Sequence, residues 1–397
     1  MRRYAFVALT GLGVVVAISV GGLLLRSSLS SPSFWGTFLR KGSIANDGAR
    51  EHTAPSAAAA VPSNQVRIAA GMTSGSHVDA WGHRWESDRY YRGGASQPGP
   101  KDLFPPPPDP GLVSTMRESV PPDPSQPASQ GSFSYDIPVP SGVYELRLYF
   151  ADPAKRSTGL DIREGGEDLR HFTVNLNGRP LLSDFDSIAD GGFASVDVRA
   201  FKDVVPAADG KVHIEFVSGY LQRSFVNALE LTPGTPGKLM PIRLCAHRSS
   251  FTDASGTLWS GDNFFINGRL LSSRTPTSEP GFPALYSEER YGNFSYAIPV
   301  PPGSYTVKLH FAETFFPMSS QAMLCHGSGC RVFDVTCNGV ALLSDFDVLQ
   351  TAGGAFRPVV RTFHGLRPNG QGKLLLSFSP SVNYAEVRAI EVIDEAQ

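Results

Sequence analysis

YELRLYF at 144–150 and YTVKLHF at 305–311 alternate large apolar with polar positions in the same order. Residues two apart on a strand share a face, so each run turns one apolar face to a core and the other to water. KVHIEF and KLLLSFS carry the same period of two. LNGRPL and CNGVAL set Asn-Gly between apolar runs, which predicts tight hairpins, and PVPSG and PVPPG read as turns. No amphipathic helix is legible among these runs, so the pattern predicts an all-β chain of sandwich type.

A different pattern opens the chain. Ala5 to Leu25 is an unbroken apolar run, and a helix of that length, rising about 1.5 Å per residue, spans a bilayer's hydrocarbon core. Arg2 and Arg3 place the N-terminus on the cytoplasmic side. A cleaved signal peptide is the alternative, but the run is long for one and the following RSSLSSPS has no small-x-small cleavage site. The reading is therefore a single-pass membrane protein with residues 1–4 cytoplasmic, an anchor at 5–25 in the lipid bilayer, and the C-terminal domains extracytoplasmic, at a cell surface, in a periplasm or in the ER lumen. Residues 26–65 are rich in Ser, Ala and Pro without apolar period and read as a flexible stalk.

The alternating runs belong to an internal repeat. GSFSYDIPVPSGVYELRLYFAD at 131–152 aligns with GNFSYAIPVPPGSYTVKLHFAE at 292–313, an offset of 161 that also aligns HFTVNLNGRPLLSDFD with VFDVTCNGVALLSDFD and VNALEL with VRAIEV. Upstream, HVDAWGHRWESDRYY matches FTDASGTLWSGDNFF at an offset of 174, so the first copy carries thirteen extra residues, which fall in a proline-rich surface loop. Two tandem jelly-roll-like β-sandwich domains follow, at 66–233 and 242–395, joined by a linker at 234–241.

Composition narrows the function. A length of 397 residues suits two domains plus accessory segments, and 40 Gly with 32 Pro agree with a turn-rich β protein. A formal net charge of -2 gives no pull toward nucleic acid. The repeated SDFD segments pair Asp184 with Asp186 and Asp345 with Asp347, a spacing that suits Ca²⁺ or acid–base chemistry, but as a repeated element after a hairpin they read as turns. All four cysteines, Cys245, Cys325, Cys330 and Cys337, lie in the second copy and allow three pairings. Cys325 and Cys330 bracket HGSG and are the first choice for a local disulfide, while Cys245 and Cys337 stand on predicted strands where buried thiols are the alternative. His326 between the cysteines makes no common zinc pattern. No metal or cofactor is expected.

The second copy, through IRLCAHRSSFTDASGTLWSGDNFF, LYSEERYGNFSYAIPVPPGSYTVKLHFAETFF, RVFDVTCNGVALLSDFDV and NYAEVRAIEV, resembles a malectin domain over its whole length, and the first copy resembles the same family less closely. The resemblance implies a β-sandwich lectin that binds glucose-containing oligosaccharide without catalysis. It carries a carbohydrate-binding site onto Tyr291 of the E-R-Y motif, onto Phe315 and Phe316 after F-A-E, and onto Asn383, where the family has an acidic residue. Aromatic platforms for the faces of a pyranose and polar groups for its rim are what a sugar site needs. At the same offset Tyr291 corresponds to Gln130, Phe315 to Ala154, Phe316 to Lys155 and Asn383 to Gln222, so the first copy keeps the framework and loses the platform. The expected function is thus a membrane-anchored lectin-like protein whose partners are a glucose-containing glycan and a protein at the membrane, with no enzyme activity. The competing reading is a cell-surface scaffold or protein-interaction module that binds no sugar.

Overall fold

The computed structural model describes residues 64–101, 103, 107–120, 131–152, 170–191, 195–219, 223–272, 281–316 and 328–396. The expected apolar anchor at 5–25 and almost all of the stalk lie outside these residues. Two mostly antiparallel β-sheet domains follow one another, each built as facing sheets over its own apolar core.

The first domain has a six-stranded sheet in the order Asp197–Val204, Tyr144–Phe150, Ala228–Pro233, Val66–Ala69, Arg84–Glu86 and Ser76–Val78. A five-stranded sheet faces it, in the order Arg179–Phe185, Phe172–Leu176, Lys211–Ser218, Ser132–Pro138 and Tyr91–Gly93. In the second domain, Ile242–Cys245, Ala389–Asp394, Tyr305–Phe311 and Val359–Leu366 form one sheet. Phe265–Ser272, Glu288–Pro299, Lys373–Val382, Val332–Cys337 and Val340–Phe346 form the other, with Ala385–Val387 also paired to Glu288–Pro299. The alternation read from sequence is the observed burial: Leu146, Leu148 and Phe150 are buried, as are Val307, Leu309 and Phe311.

The repeat persists in three dimensions. Phe150, Phe172 and Phe185 pack as a triad, with the last two rings 5.3 Å apart at 90°. Phe311, Phe333 and Phe346 repeat it, the last two at 5.6 Å and 86°. The SDFD segments contribute Phe185 and Phe346 to these triads, and their final aspartates cap short helices: Ile188 N–H donates to Asp186 and Gln350 N–H to Asp347. A second repeated element sits near each domain's start, where Trp85 donates its indole N–H to Asp79 at 2.9 Å and Trp259 donates to Asp253 at 3.0 Å.

One correspondence read from sequence is corrected by strand register. Glu288–Pro299 is a single twelve-residue strand, whereas its first-domain counterpart is divided into Thr115–Glu118 and Ser132–Pro138. Arg290 pairs with Val387 and Tyr291 with Glu386; in the first domain Arg117 pairs with Val226 and Glu118 with Phe225. Arg117 and Glu118 are therefore the counterparts of Arg290 and Tyr291. The insertion falls after Glu118, within the strand, and Gln130 lies outside the described residues.

The two domains make direct contact. Lys202 Nζ meets Asp394 at 2.6 Å, Lys373 pairs with Asp197, and Ser250 Oγ donates to the Trp81 carbonyl at 3.3 Å. Asp197 and Asp394 are almost fully buried, so each ion pair is shielded from solvent on its acidic side. No helix among the described residues is long and apolar enough to cross a membrane.

Candidate functional site

Tyr291 and Tyr384 meet edge to face at one end of the second domain, with ring centroids 5.6 Å apart. Tyr384 is 58% exposed, an unusual position for so large a ring. The pair borders a groove of about 290 Å³ with Gly268, Arg269, Gly292 and Asn293. The groove exists because the strand Phe265–Ser272 shifts register against Glu288–Pro299 between Asn267 and Arg269. Gly268 adopts φ +75 there, and a Cβ on it would stand 2.9 Å from the Cβ of Phe294, so the bulge requires glycine.

The expected site residues divide. Tyr291 lines the groove. Asn383 is exposed beside Tyr384 with φ 56, and its side-chain amide donates to the Cys330 carbonyl. Phe315 is half-buried and Phe316 is only 8% exposed, the two rings meeting edge to face at 5.4 Å. Their backbone N–H groups both donate to Glu313 Oε1, at 2.8 and 3.3 Å, which turns the chain after Phe311 and sends Phe316 inward. Tyr384 was not singled out in the sequence, although it immediately follows Asn383. Cys330 is disulfide-bonded, Cys325 lies outside the described residues, and Cys245 and Cys337 are free and buried. Burial pushes the Cys245 thiol up to about 12 and the Cys337 thiol up to about 11.

Beneath the groove lies a buried charge network. Arg388, with no exposed surface, donates to Glu386 at 2.7 Å, to Glu289 at 2.5 Å, to the carbonyls of Ala312 and Tyr286, and to Thr314 Oγ1. Arg331 donates to Glu313 at 2.7 Å and to the Tyr384 carbonyl at 3.2 Å, and its guanidinium stands 3.7 Å from Glu289. Burial pushes the Glu386 carboxyl up to about 8 despite Arg388, with the like charge of Glu289 acting in the same direction. Through Arg331 the network fixes both the Tyr384 backbone and the Glu313 turn that carries Phe315.

The first domain has dismantled this network. At the positions of Arg388, Glu386 and Glu289 it carries Asn227, Phe225 and Met116, all buried. Asn227 satisfies the same strand end with neutral hydrogen bonds to Ala151 N–H and to the carbonyls of Val113 and Thr115. Glu118, in the place of Tyr291, is tied to Arg170 at 3.0 Å and Arg223 at 2.8 Å. Ala154, Lys155 and Gln222 lie outside the described residues. Among the described residues no group of three or more His, Cys, Asp or Glu could hold a metal ion.

The malectin-domain family matches residues 65–229 and 242–374. The chain belongs to this family. A probable LRR receptor-like serine/threonine-protein kinase of Arabidopsis thaliana is 32% identical over 120 residues, covering 30% of this chain and 11% of the kinase. Malectin-A of Xenopus laevis is 37% identical over 79 residues, 19% of this chain and 25% of that protein. The match thus spans a small part of either relative's own length. Among solved structures, the plant receptor-like kinase FER covers 83% of this chain and 96% of its own at 18% identity, with a TM-score of 0.42. A further structure of similar extent, TM-score 0.42, holds the plant peptide RALF23 in complex with FER and LLG2.

Two expectations are corrected here. The lectin description and the glucose-containing oligosaccharide partner do not stand on the geometry of the site. In this chain Phe316 is turned inward and the Asn383 amide is spent on a backbone carbonyl, so the four carried-over residues present no common sugar platform. The single-pass localisation with a cytoplasmic N-terminus is not retained either. The described residues hold no helix long and apolar enough to cross a membrane, and the run at 5–25 lies outside them.

Proposed function

We propose that this malectin-family chain is a protein-interaction module, a non-catalytic scaffold that engages a protein or peptide partner through the Tyr291–Tyr384 edge of its second domain. The observation that carries the reading is the edge-to-face pair of half-buried Tyr291 and exposed Tyr384 beside exposed Arg269, next to a buried charge network. Tyrosine and arginine concentrate the binding energy of protein interfaces, because they offer large contact area and hydrogen bonds at low entropic cost. Asn383 holds the Tyr384 loop to Cys330. The proposed division of the chain keeps jelly-roll domains at 66–233 and 242–395 with a linker at 234–241. Panning a random peptide library against the full chain, and again against Tyr291→Ala/Tyr384→Ala, tests the reading. Sequences enriched on the first and absent on the second support it; enrichment indifferent to the tyrosines overturns it.

A further inference from the structure

A cavity of about 290 Å³ lies between the two domains, away from the tyrosine groove. Trp81, Tyr149 and Val198 of the first domain and Phe264, Ile266 and Ala297 of the second are among its walls. Domain interfaces are preferred places for binding pockets, and this volume suits one bulky side chain with its amide.

Trp81 is the informative residue. It is not one of the repeat's framework tryptophans: at the offset of 174 its counterpart is Ser255 in an exposed turn. Its ring rests on the bare backbone of Gly261 in the other domain, where a Cβ would come within 2.8 Å of the indole. Its carbonyl accepts from Ser250. Yet its indole N–H is buried and meets no acceptor among the described residues. A buried donor left unpaired is costly, so a ring seated against Gly261 with its donor unused points to an occupant that supplies an acceptor.

The walls also specify charge. Asp109 is committed to His77 at 2.7 Å and to the Leu112 N–H, and Lys373 to Asp197 and the Asp190 carbonyl. Both ionised groups at the cavity are therefore already paired, which favours a neutral occupant.

The cavity and the groove share one face. Tyr291, Asn293 and Ala297 stand at alternate positions of Glu288–Pro299, so all three point to the same side. Tyr291 and Ala297 are about 20 Å apart at roughly 3.3 Å per residue. The neighbouring strand Phe265–Ser272 runs between the two places, contributes Ile266 to one and Arg269 to the other, and is the outermost strand of its sheet. Among the described residues its outer edge pairs with no other strand, so it can accept an added one, with alternate side chains reaching the sheet face.

We infer that the interdomain cavity is an anchor pocket for one neutral, bulky apolar residue of an extended peptide, whose carbonyl accepts from Trp81 and whose chain continues along Phe265–Ser272 to the tyrosine groove. The inference rests on the protein-interaction reading and names the chemistry of its partner: an uncharged aromatic or branched residue lying several residues from the segment that meets Tyr291 and Tyr384.

The test is a titration of the full chain, ¹⁵N-labelled at tryptophan, with N-acetyl-phenylalaninamide, following indole N–H resonances assigned by Trp81→Phe. The expected result is a saturable shift of the Trp81 signal. Ligand-observed saturation transfer should show at least tenfold weaker binding to Trp81→Phe, which keeps a ring and removes the donor, and to Ile266→Trp, which fills the cavity from a partly exposed position. Tyr291→Ala/Tyr384→Ala should leave this shift unchanged. An absent or non-saturating shift, or binding indifferent to both cavity variants, overturns the anchor pocket. If tyrosine-dependent peptides are still selected in that event, the interaction-module reading survives without it. Equal binding by benzoate would overturn the peptide assignment in favour of a small-molecule site.

Discussion

Arg117 and Arg290 hold the same place in the two domains. Arg117 Nε donates to Asp88 at 2.7 Å and Arg290 Nε to Asp262 at 2.8 Å, and each aspartate also accepts a tyrosine hydroxyl, from Tyr135 at 2.8 Å and Tyr296 at 2.7 Å. Burial raises the Asp262 carboxyl, with Arg290 acting in the opposite direction, and burial keeps the Tyr296 hydroxyl neutral, so the guanidinium is the counter-charge of the buried carboxylate. The arginine at the head of the tyrosine-bearing strand is thus framework, common to both copies, and the residue after it is where they part.

Removing that guanidinium should be costly. Arg290→Met leaves Asp262 buried without its counter-charge, a change worth about 3–5 kcal/mol. Denaturant unfolding should show the loss, and Arg290→Met/Asp262→Asn should recover a substantial part of it.

The buried network predicts a pH dependence. Burial, with the like charge of Glu289, raises the Glu386 carboxyl from the ordinary 4.5 to about 8, so the folded protein holds the extra proton between those values. Its stabilising contribution is present in full below about pH 4.5 and is lost as pH rises toward 8. Thermal melts across that window should decline with pH more steeply for the parent than for Glu386→Gln, which cannot ionise. Equal slopes would contradict the assignment.

The interdomain ion pairs predict a mechanical effect. Lys202→Met leaves Asp394, whose carboxyl lies below its usual range through hydrogen bonds from Lys202 and Leu239 that outweigh burial, without its ammonium partner. Limited proteolysis should then cut the linker at 234–241 faster than in the parent, with each domain's core protected as before.

Much of the fold was legible because period-two alternation and paired Asn-Gly turns are local signals. Asn177 and Asn338 do take the positive φ, 49 in both, that such hairpins require. The site was less legible for three physical reasons. A constant offset could not place an insertion that splits a strand, so Gln130 stood where register puts Glu118. Alternation stops governing direction once Glu313 turns the chain, so it could not say that Phe316 points inward. Charged residues such as Arg388 and Glu386 read as surface until the turn at Ala312–Thr314 is folded over them.

Tyr384→Ala should leave stability within about 0.5 kcal/mol, because the ring is mostly exposed and removing it opens no buried cavity. The most direct test of the account is therefore calorimetric titration of the full chain and of Tyr291→Ala/Tyr384→Ala with a peptide selected on the full chain, and with nigerose beside it. The account predicts saturable peptide binding that weakens at least tenfold in the double variant, with no heat from the disaccharide. Peptide binding unchanged by the double substitution, or saturable binding of nigerose at the tyrosine groove, would contradict it.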